Sequence, residues 1–487
     1  MHAALADLLN HRNNNNRGMD HMKHVVSTRT LALLMAGMML SGCSDDDDND
    51  STPQPDEPAR AQDARTFSVD QSKLALESLE DTQTDTWTGV MESGAGYLIE
   101  VPENWNGMLV MYAHGYRGEG SELTVTPPSI RKWLVDNGYA WAASSYSKNF
   151  YDVRAGLEDT NALALAFNDI AAQNGRTLTA PVKTYITGHS MGGHIAAAAV
   201  EQETLSTANN VVSYDGSVPM CGVVAGPIEF DYLQDFTFAA QHIAGMGPTQ
   251  YPNTDFDAAA INAVLWDVVP SQTQLGVPTE QGLLLENVVR NLSGGDRPIF
   301  EYGFRGPYYN VVMGTGGRDG KINGILTEDY PGNADTVYQF DAEPALSAEE
   351  TAFNSNIFRI DGNPEANSLR ADGLRWVPEI SGEFTVPVVT IHGLGDLYVP
   401  FVHEQEYLRR AAANGSDALL VQRAIRAPGH CDFMPAEEEA AFSAMVEWEQ
   451  NGVKPGGDVM LDPAVVSDPN YGCTYTSEDR PGMPVCP

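Results

Sequence analysis

Short apolar runs alternate with longer amphipathic segments in two parts of the chain. Residues 108–113 read MLVMYA and end at a His-Gly pair, and residues 182–188, VKTYITG, form a second strand-like run. Between them, the segment 127–138, PPSIRKWLVDNG, has prolines at its start and Asn-Gly at its end, which is typical of a helix. Strands that alternate with helices are typical of a mainly parallel sheet with helices on both faces. The pattern therefore predicts an α/β fold.

The alternation stops at about residue 226 and resumes at about residue 383. Four segments of this interval have helical patterns, near Tyr232–Gly245, Asp255–Asp267, Gln281–Leu292 and Ser347–Ser355. Loops in compact domains are typically ~4–6 residues long, so the length of the interval indicates a structured, mainly helical insertion over 226–382. The expected core comprises residues 67–225 and 383–452, and residues 453–487 follow it as a C-terminal tail.

Residues 1–42 have the character of a signal peptide. A ten-residue apolar run, LALLMAGMML, follows Lys23 and Arg29. This run is shorter than the ~20 residues that a membrane-spanning helix needs, so it is typical of the apolar region of a signal peptide. The residues before it include the polar stretch HRNNNNRG, which favours Met19 or Met22 as the true start of the protein.

The segment after the apolar run predicts a lipid anchor and a tether. LSGC at 40–43 resembles the lipobox of bacterial lipoproteins, which implies cleavage before Cys43 and a lipid on its sulfur. Ser44 follows the cysteine, and by analogy with Gram-negative lipoproteins this favours the outer membrane. Residues 43–66 are acidic, polar and proline-containing, as in a disordered tether. The expected location is therefore the outer membrane, on its periplasmic or cell-surface side.

The chain is strongly acidic. Its 66 aspartates and glutamates against 28 lysines and arginines give a formal net charge of −38. A charge of this size argues against nucleic acid or an anionic membrane surface as a partner. The composition is otherwise that of an ordinary globular protein, with 42% hydrophobic residues.

Four cysteines remain beyond Cys43, namely Cys221, Cys431, Cys473 and Cys486. An even number in an exported chain permits disulfides, and four cysteines allow three pairings. Cys473 with Cys486 would close a short C-terminal loop and leave Cys221 with Cys431, for which two buried thiols are the alternative. The cysteines and histidines lack the spacing of a zinc site, so we expect no metal.

The stretch YITGHSMGGHIAAAAVE contains a G-x-S-x-G motif around Ser190. A strand-like run precedes the motif and an alanine-rich helical run follows it, which is the context of a nucleophile on a strand-to-helix turn. Gly188, Gly192 and Gly193 would let the strand and the helix approach closely. Such a turn exposes the serine Oγ and directs the next amide, Met191 N–H, at a developing oxyanion. We therefore expect Ser190 to be a nucleophile and Met191 an oxyanion donor.

A serine nucleophile needs a base and a group that orients the base. His430, in APGHCDF, follows the last predicted strand, and Asp396, in IHGLGDLYVP, follows the preceding strand in the same way. We expect them to act as base and acid, which gives the chain order Ser, Asp, His. The HGY turn after residues 108–113 is expected to supply the second oxyanion donor, the Tyr116 N–H.

These motifs resemble those of the α/β-hydrolase superfamily over residues 87–225 and 383–452. The segments HGLGDLYVP and GHCDF are similar to the acid and histidine segments of its esterase and prolyl-peptidase branches. The resemblance implies an α/β-hydrolase fold, with the nucleophile, acid, base and oxyanion donors on the residues named above. It also implies that the insertion is a lid or cap, and that no cofactor is required.

The expected function is that of a serine hydrolase which cleaves carboxylic esters through an acyl-enzyme, with a small-molecule or polymeric ester as its partner. A peptidase or amidase of the same fold is one alternative, and a catalytically silent surface-binding protein is another. His189 and His194, which flank the serine, are expected to have structural roles. The sequence leaves the ester itself open because substrate specificity is expected to depend on the insertion.

Overall fold

A central sheet of eight strands crosses the computed structural model, which describes residues 61–315, except 252, 254 and 255, and residues 331–487. The predicted signal peptide at 1–42, the lipidation site Cys43 and most of the tether at 43–66 lie outside the described residues. The strands are β1 (Thr84–Val90), β2 (Gly96–Pro102), β3 (Met108–Ala113), β4 (Ala140–Ser144), β5 (Lys183–His189), β6 (Gly216–Met220), β7 (Val388–Gly393) and β8 (Leu420–Ile425).

The strand order across this sheet is β1-β2-β4-β3-β5-β6-β7-β8. The β1–β2 and β2–β4 pairs are antiparallel, whereas every pair from β4 to β8 is parallel. This order, with its antiparallel start, is that of the α/β-hydrolase fold, so the predicted fold class is confirmed. Because parallel strands end at one edge of a sheet, the loops after β3, β5, β7 and β8 lie along the same edge.

Helices lie on both faces of the sheet. In the described residues they are α1 (Arg131–Asp136), α2 (Val153–Gln173), α3 (Met191–Ala198), α4 (Gln202–Thr207), α5 (Ile228–Ile243), α6 (Ala258–Leu265), α7 (Glu280–Leu292), α8 (Phe300–Phe304), α9 (Tyr308–Thr315), α10 (Ala348–Asn356), α11 (Val402–Asn414), α12 (Pro435–Asn451) and α13 (Pro463–Val466). The described part of the chain also contains four short 3-10 helices, at Ala61–Ala64, Gln71–Lys73, Pro364–Asn367 and Asp417–Leu419.

The two faces of the sheet have separate hydrophobic cores. Leu109 and Met111 of β3 belong to a core that includes α2, α3 and much of the insertion. Val110 and Tyr112 belong to the opposite core, with α1 and α12. Successive side chains of a strand point to opposite faces, so a strand covered on both sides is apolar at every position. This explains the uninterrupted apolar run at 108–113.

Local signals in the sequence determine where the long helices begin and end. The Asp152 carboxylate accepts a hydrogen bond from the Ala155 N–H at 3.0 Å, which caps the first turn of α2. Helix α12 has Pro435 at its first position and ends at Asn451; the next residue, Gly452, has a φ of 70°, which is readily adopted only by glycine.

The insertion contains helices α5 to α10 and a two-stranded ribbon formed by Trp266–Val268 and Val277–Pro278. The helix predicted at Asp255–Asp267 is shorter in the structure. It begins after Asp257, whose carboxylate accepts hydrogen bonds from two amides of the first turn, and it ends at Leu265, where the chain enters the ribbon. The helices α8 and α9 were not predicted. Helix α8 has only five residues, too few to establish a periodic pattern.

The C-terminal tail packs along β8, the last strand of the sheet. The Ala424 N–H donates to the Asp458 carboxylate at 2.8 Å, and the Arg426 N–H donates to Thr476 Oγ1 at 2.9 Å. The tail therefore satisfies amides of an edge strand that would otherwise be open to pairing with another chain. Within the described ranges, every helix is too short or too polar to cross a lipid bilayer.

Candidate active site

Ser190 lies at the tip of a tight turn between β5 and α3. Its φ is 59° and its ψ is −121°, a backbone conformation that costs a non-glycine residue on the order of 1–3 kcal/mol. The Ser190 N–H donates to Met220 O at 3.0 Å, and Ser190 O accepts from the His194 N–H at 3.0 Å. These bonds attach the turn to the end of β6 and to the first turn of α3. The serine is thereby held at the carboxyl edge of the sheet.

Close backbone contacts require the glycines around Ser190. A Cβ atom on Gly192 would lie 2.0 Å from Ala113 O, and one on Gly188 would lie 2.3 Å from Gly192 O. Both distances are far below van der Waals contact, so neither position accepts a side chain without movement of the backbone. The two glycines thus allow α3 to begin directly against the end of β3.

The structure brings Ser190, Asp396 and His430 together from three separate loops. His430 Nε2 lies 2.8 Å from Ser190 Oγ, and His430 Nδ1 lies 2.7 Å from Asp396 Oδ2. Asp396 follows β7 and His430 follows β8, so both loops lie at the edge that carries the serine. With Nδ1–H donating to the carboxylate, Nε2 is free to accept the serine O–H. This is the arrangement in which a histidine can remove the proton of a serine.

The Asp396 carboxylate is fully buried and held by its own loop. Its Oδ1 accepts hydrogen bonds from the amides of Tyr398 and Val399, both at 3.0 Å. The residue has a relative exposure of 0%. Because Oδ1 is occupied by the loop, the other oxygen, Oδ2, faces His430 in a fixed orientation.

Both predicted oxyanion donors lie beside the serine. Met191 is the first residue of α3, and the first amides of a helix have no acceptor within it. A Cβ on Gly115 would lie 3.1 Å from Ser190 Cβ, so the turn after β3 runs alongside the serine. Tyr116, the next residue, borders the same cleft as Ser190.

The four cysteines form two disulfides, Cys221 with Cys431 and Cys473 with Cys486. Of the two alternatives for Cys221 and Cys431, a disulfide or two buried thiols, the structure contains the disulfide. Cys221 directly follows β6, and Cys431 directly follows His430, whose Nε2 lies 3.5 Å from Cys431 Sγ. The first disulfide thus ties the His430 loop to the centre of the sheet.

The same disulfide accounts for a grouping that resembles a metal site. The described residues contain one group of three potential metal-ligand atoms within 4.8 Å of one another, from Cys221, His430 and Cys431. Both sulfurs are bonded to each other, and metal ligation by cysteine requires a free thiolate. The donor set therefore does not fit a metal ion.

A narrow cleft opens beside Ser190. Its lining comes from the turn after β3, the segment just before α2, the segment after β6, α5 and the loop after β7. The lining residues besides Ser190 are Tyr116, Tyr151, Val223, Glu229, Phe230, Leu233, Tyr398 and Val399. Helix α5 begins the insertion, so the insertion forms one wall of the cleft. A second part of the insertion, Tyr308 of α9, places its ring 5.8 Å from the His430 ring, edge to face.

Glu229 is an acidic residue of this cleft that was not predicted from the sequence. Its side chain is buried, and Oε2 lies 2.9 Å from His403 Nε2. Burial, and then the nearby Asp396 carboxylate, raise the pKa of Glu229 well above its ordinary value. Acidic residues are common in the first turn of any helix, where the helix dipole favours them. Nothing in the sequence therefore distinguished Glu229 from an ordinary helix-start residue.

The two histidines that flank the serine have partners of their own. His189 Nδ1 lies 3.2 Å from the Tyr112 hydroxyl, and its Nε2 lies 3.3 Å from Glu438 Oε1. His194 lies 3.0 Å from the Tyr151 hydroxyl through Nδ1, and burial lowers the pKa of His194 to about 4. Both rings therefore have partners within the fold, and their expected structural roles stay predictions.

Fold and site together have the organisation of an α/β-hydrolase with a Ser–His–Asp constellation. No protein-family model matches the chain. An o-phthalyl amidase from Xanthobacter agilis is 24% identical over 418 residues, which cover 75% of this chain and 88% of the amidase.

Two solved structures extend the comparison. Feruloyl esterase B from Aspergillus oryzae has a TM-score of 0.38 and 14% sequence identity, over 78% of this chain and 83% of the esterase. The acylaminoacyl peptidase from Pyrococcus horikoshii has a TM-score of 0.37 and 10% identity, over 79% of this chain and 44% of the peptidase. The similarity is low in each case, so the assignment of the fold rests on the strand order described above.

Proposed function

We propose that the protein is a serine hydrolase that cleaves carboxylic ester bonds through an acyl-enzyme. The observation that carries this proposal is the continuous hydrogen-bonded series from Ser190 Oγ through His430 to the buried carboxylate of Asp396. A serine hydroxyl is a weak nucleophile until an adjacent base removes its proton. The strained backbone of Ser190 gives further support, because such strain is concentrated at functional sites.

In the first half of the reaction, Ser190 Oγ attacks the ester carbonyl carbon while His430 Nε2 takes the hydroxyl proton. The Asp396 carboxylate stabilises the resulting imidazolium and itself stays unprotonated. The negative charge that develops on the carbonyl oxygen is stabilised by the amides of Met191 and Tyr116. The tetrahedral intermediate then expels the alcohol, whose oxygen receives the proton from His430.

The second half of the reaction repeats these roles with water. His430 removes a proton from a water molecule, which attacks the carbonyl carbon of the acyl-enzyme. The same two amides bind the second oxyanion, and His430 returns the proton to Ser190 Oγ as the carboxylic acid leaves. Ser190, His430 and the two amides are thereby restored.

An ester is the substrate that this geometry supports best. An alcohol leaves a tetrahedral intermediate more readily than an amine does, so cleavage of an ester requires less of this site than cleavage of an amide. The o-phthalyl amidase relative is the specific reason to keep amide hydrolysis as a second candidate. We also propose that the insertion over 226–382 acts as a cap that determines specificity, because Glu229, Phe230 and Leu233 line the cleft.

Turnover of matched esters and amides tests the proposal. We expect p-nitrophenyl acetate and butyrate to be hydrolysed much faster than the corresponding p-nitroanilides, because the scissile bond is the only difference between them. Ser190→Ala is the control, and it should abolish both activities. Turnover of the anilides alone would contradict ester hydrolysis and favour the amidase.

We further propose that the protein is exported and lipid-anchored to the outer membrane through Cys43. Two disulfides support a location outside the reducing cytoplasm. Incorporation of labelled palmitate into the full chain, lost in Cys43→Ser, would support the anchor. Equal incorporation into the wild type and the variant would contradict it.

A further inference from the structure

A buried carboxyl group lines the same cleft as the Ser190 hydroxyl. Glu229 is 3% exposed, and the cleft around it is otherwise aromatic or aliphatic apart from the serine. A carboxyl group is costly to bury in such surroundings unless it is hydrogen-bonded. The stability of the buried carboxyl group therefore depends on the hydrogen-bond partner of each of its two oxygens.

One oxygen of Glu229 has a structural partner. His403 is fully buried, and its Nδ1 accepts a hydrogen bond from the Ala225 N–H at 3.0 Å. The ring hydrogen therefore resides on Nε2, which donates to Glu229 Oε2 at 2.9 Å. Burial lowers the pKa of His403 well below its ordinary value, so the ring supplies a hydrogen bond but no positive charge. His403 thus fixes the orientation of the Glu229 carboxyl group.

The second oxygen of Glu229 is available to a bound molecule. Oε1 makes no hydrogen bond to any of the described residues, and it is not among the atoms enclosed by protein. Glu229 is one of the residues that line the cleft beside Ser190, and Oε1 is its oxygen without a hydrogen bond to the described residues. The raised pKa of Glu229 favours the neutral carboxylic acid, which can both donate and accept a hydrogen bond. A hydroxyl group has the same two capacities, whereas an ammonium group would need the ionised carboxylate.

We propose that Glu229 binds a hydroxyl group on the part of the ester that occupies this cleft, and so selects hydroxylated substrates. This inference rests on the proposed function, since Ser190, the nucleophile of that reaction, is one of the residues that line the cleft. The rings of Tyr116, Tyr151 and Phe230 line the same cleft and provide apolar surface for the carbon skeleton that carries the hydroxyl. Glu229 acts here by binding the substrate and takes no part in proton transfer.

The test compares hydroxylated and unsubstituted esters in two series. The acyl series contains p-nitrophenyl benzoate and its 3-hydroxy and 4-hydroxy derivatives, and the alcohol series contains phenyl acetate and its 3-hydroxy and 4-hydroxy derivatives. The quantity measured is the ratio of kcat/KM for the hydroxylated ester to that for the unsubstituted one. Comparing this ratio between variants cancels intrinsic reactivity and any loss of folded enzyme.

In one of the two series, Glu229→Leu should lower this ratio about tenfold, the effect of losing one buried hydrogen bond. Glu229→Gln should keep most of the ratio, because an amide can still bind both His403 and a hydroxyl. Asp235→Asn is the matched control, as Asp235 is a buried carboxyl of the same helix that accepts hydrogen bonds from Tyr338 and Thr336 and does not line the cleft. Its ratio should equal that of the wild type.

A change of less than threefold in both series for Glu229→Leu would overturn the inference. If that variant does not fold, the double variant Glu229→Leu with His403→Leu replaces both members of the pair and is judged by the same threshold. Turnover of any ester of the two series by the wild type reports separately on the proposed function. If none of these esters is hydrolysed, the proposed ester hydrolysis is refuted, whereas turnover with an unchanged ratio would refute the role of Glu229 alone.

Discussion

Backbone strain at Ser190 is maintained by residues that have no side chain. The serine has a φ of 59°, and its neighbours Gly188 and Gly192 approach other backbone atoms more closely than any Cβ would allow. The conformation is therefore determined by the packing of α3 against the ends of β3 and β6. A small displacement of this turn would move Ser190 Oγ away from His430.

Gly192→Ala tests this dependence at the residue scale. The added Cβ would lie 2.0 Å from Ala113 O, so the turn has to shift. We expect an ester-hydrolysis rate at least about 100-fold lower, and a free energy of unfolding lower by about 1–3 kcal/mol from overpacking. Gly120→Ala is the control, since a Cβ there meets no atom within 4 Å. Wild-type rates in Gly192→Ala would contradict this account of the turn.

The sequence located some residues of the site and missed others for physical reasons. Ser190, Asp396 and His430 each follow a predicted strand, so the geometry of a parallel sheet was enough to bring them to one edge. Glu229 lies in the insertion, and its position beside Ser190 depends on how α5 packs on the core. No periodic pattern contains that information. The roles of all four residues in catalysis or binding stay predictions.

At the scale of elements, strands were easier to predict than the helices of the insertion. The strand predicted at residues 108–113 has the same bounds in the structure, because both its faces are buried and every position is apolar. The helices of the insertion are short and are separated by turns, so their ends depend on local caps such as Asp257. Helix α9, which carries Tyr308 to the His430 ring, gave no signal in the sequence.

The disulfide between Cys221 and Cys431 connects two elements of the site. It joins residues 210 positions apart, whereas Cys473 and Cys486 are 13 apart. The entropy of loop closure predicts that Cys221→Ser with Cys431→Ser lowers the free energy of unfolding by about 5 kcal/mol, and that the C-terminal pair contributes about 3 kcal/mol. Denaturant unfolding of the two double variants measures both values.

The two disulfides are expected to differ more in their effect on the rate of ester hydrolysis than in their effect on stability. Removal of the Cys221–Cys431 bond frees the residue next to His430, so we expect a lower kcat for ester hydrolysis in the folded variant. The matched double variant Cys473→Ser with Cys486→Ser should keep its kcat within about twofold, because that bond lies in the C-terminal tail. Equal kcat values in the two variants would show that the first disulfide does not position the histidine.

At the scale of the whole molecule, net charge is the dominant feature. With a formal net charge of −38, the carboxylate side chains repel one another in the compact state, and added salt screens that repulsion. The screening length falls from about 30 Å at 0.01 M salt to about 10 Å at 0.1 M. We therefore expect the melting temperature to rise between these two concentrations of NaCl. An unchanged or lower melting temperature would show that charge repulsion does not limit stability.

The overall architecture followed from the sequence because a few strong patterns determine it. Alternating strands and helices indicated a parallel sheet, and the order of Ser190, Asp396 and His430 matched the superfamily that the motifs resemble. The antiparallel pairing at the start of the sheet was not predicted, since local patterns do not specify how strands pair. The packing of the insertion was likewise beyond sequence reasoning.

Covalent labelling is the most direct test of the central claim that Ser190 is an activated nucleophile. A fluorophosphonate probe should label the folded chain once, with the adduct mapped to Ser190 by mass spectrometry. Labelling should be lost in Ser190→Ala, and it should be slowed at least about 1,000-fold in His430→Ala. Well-folded protein that takes up no label, or labelling of Ser190→Ala at the wild-type rate, would contradict the account and favour a catalytically silent protein.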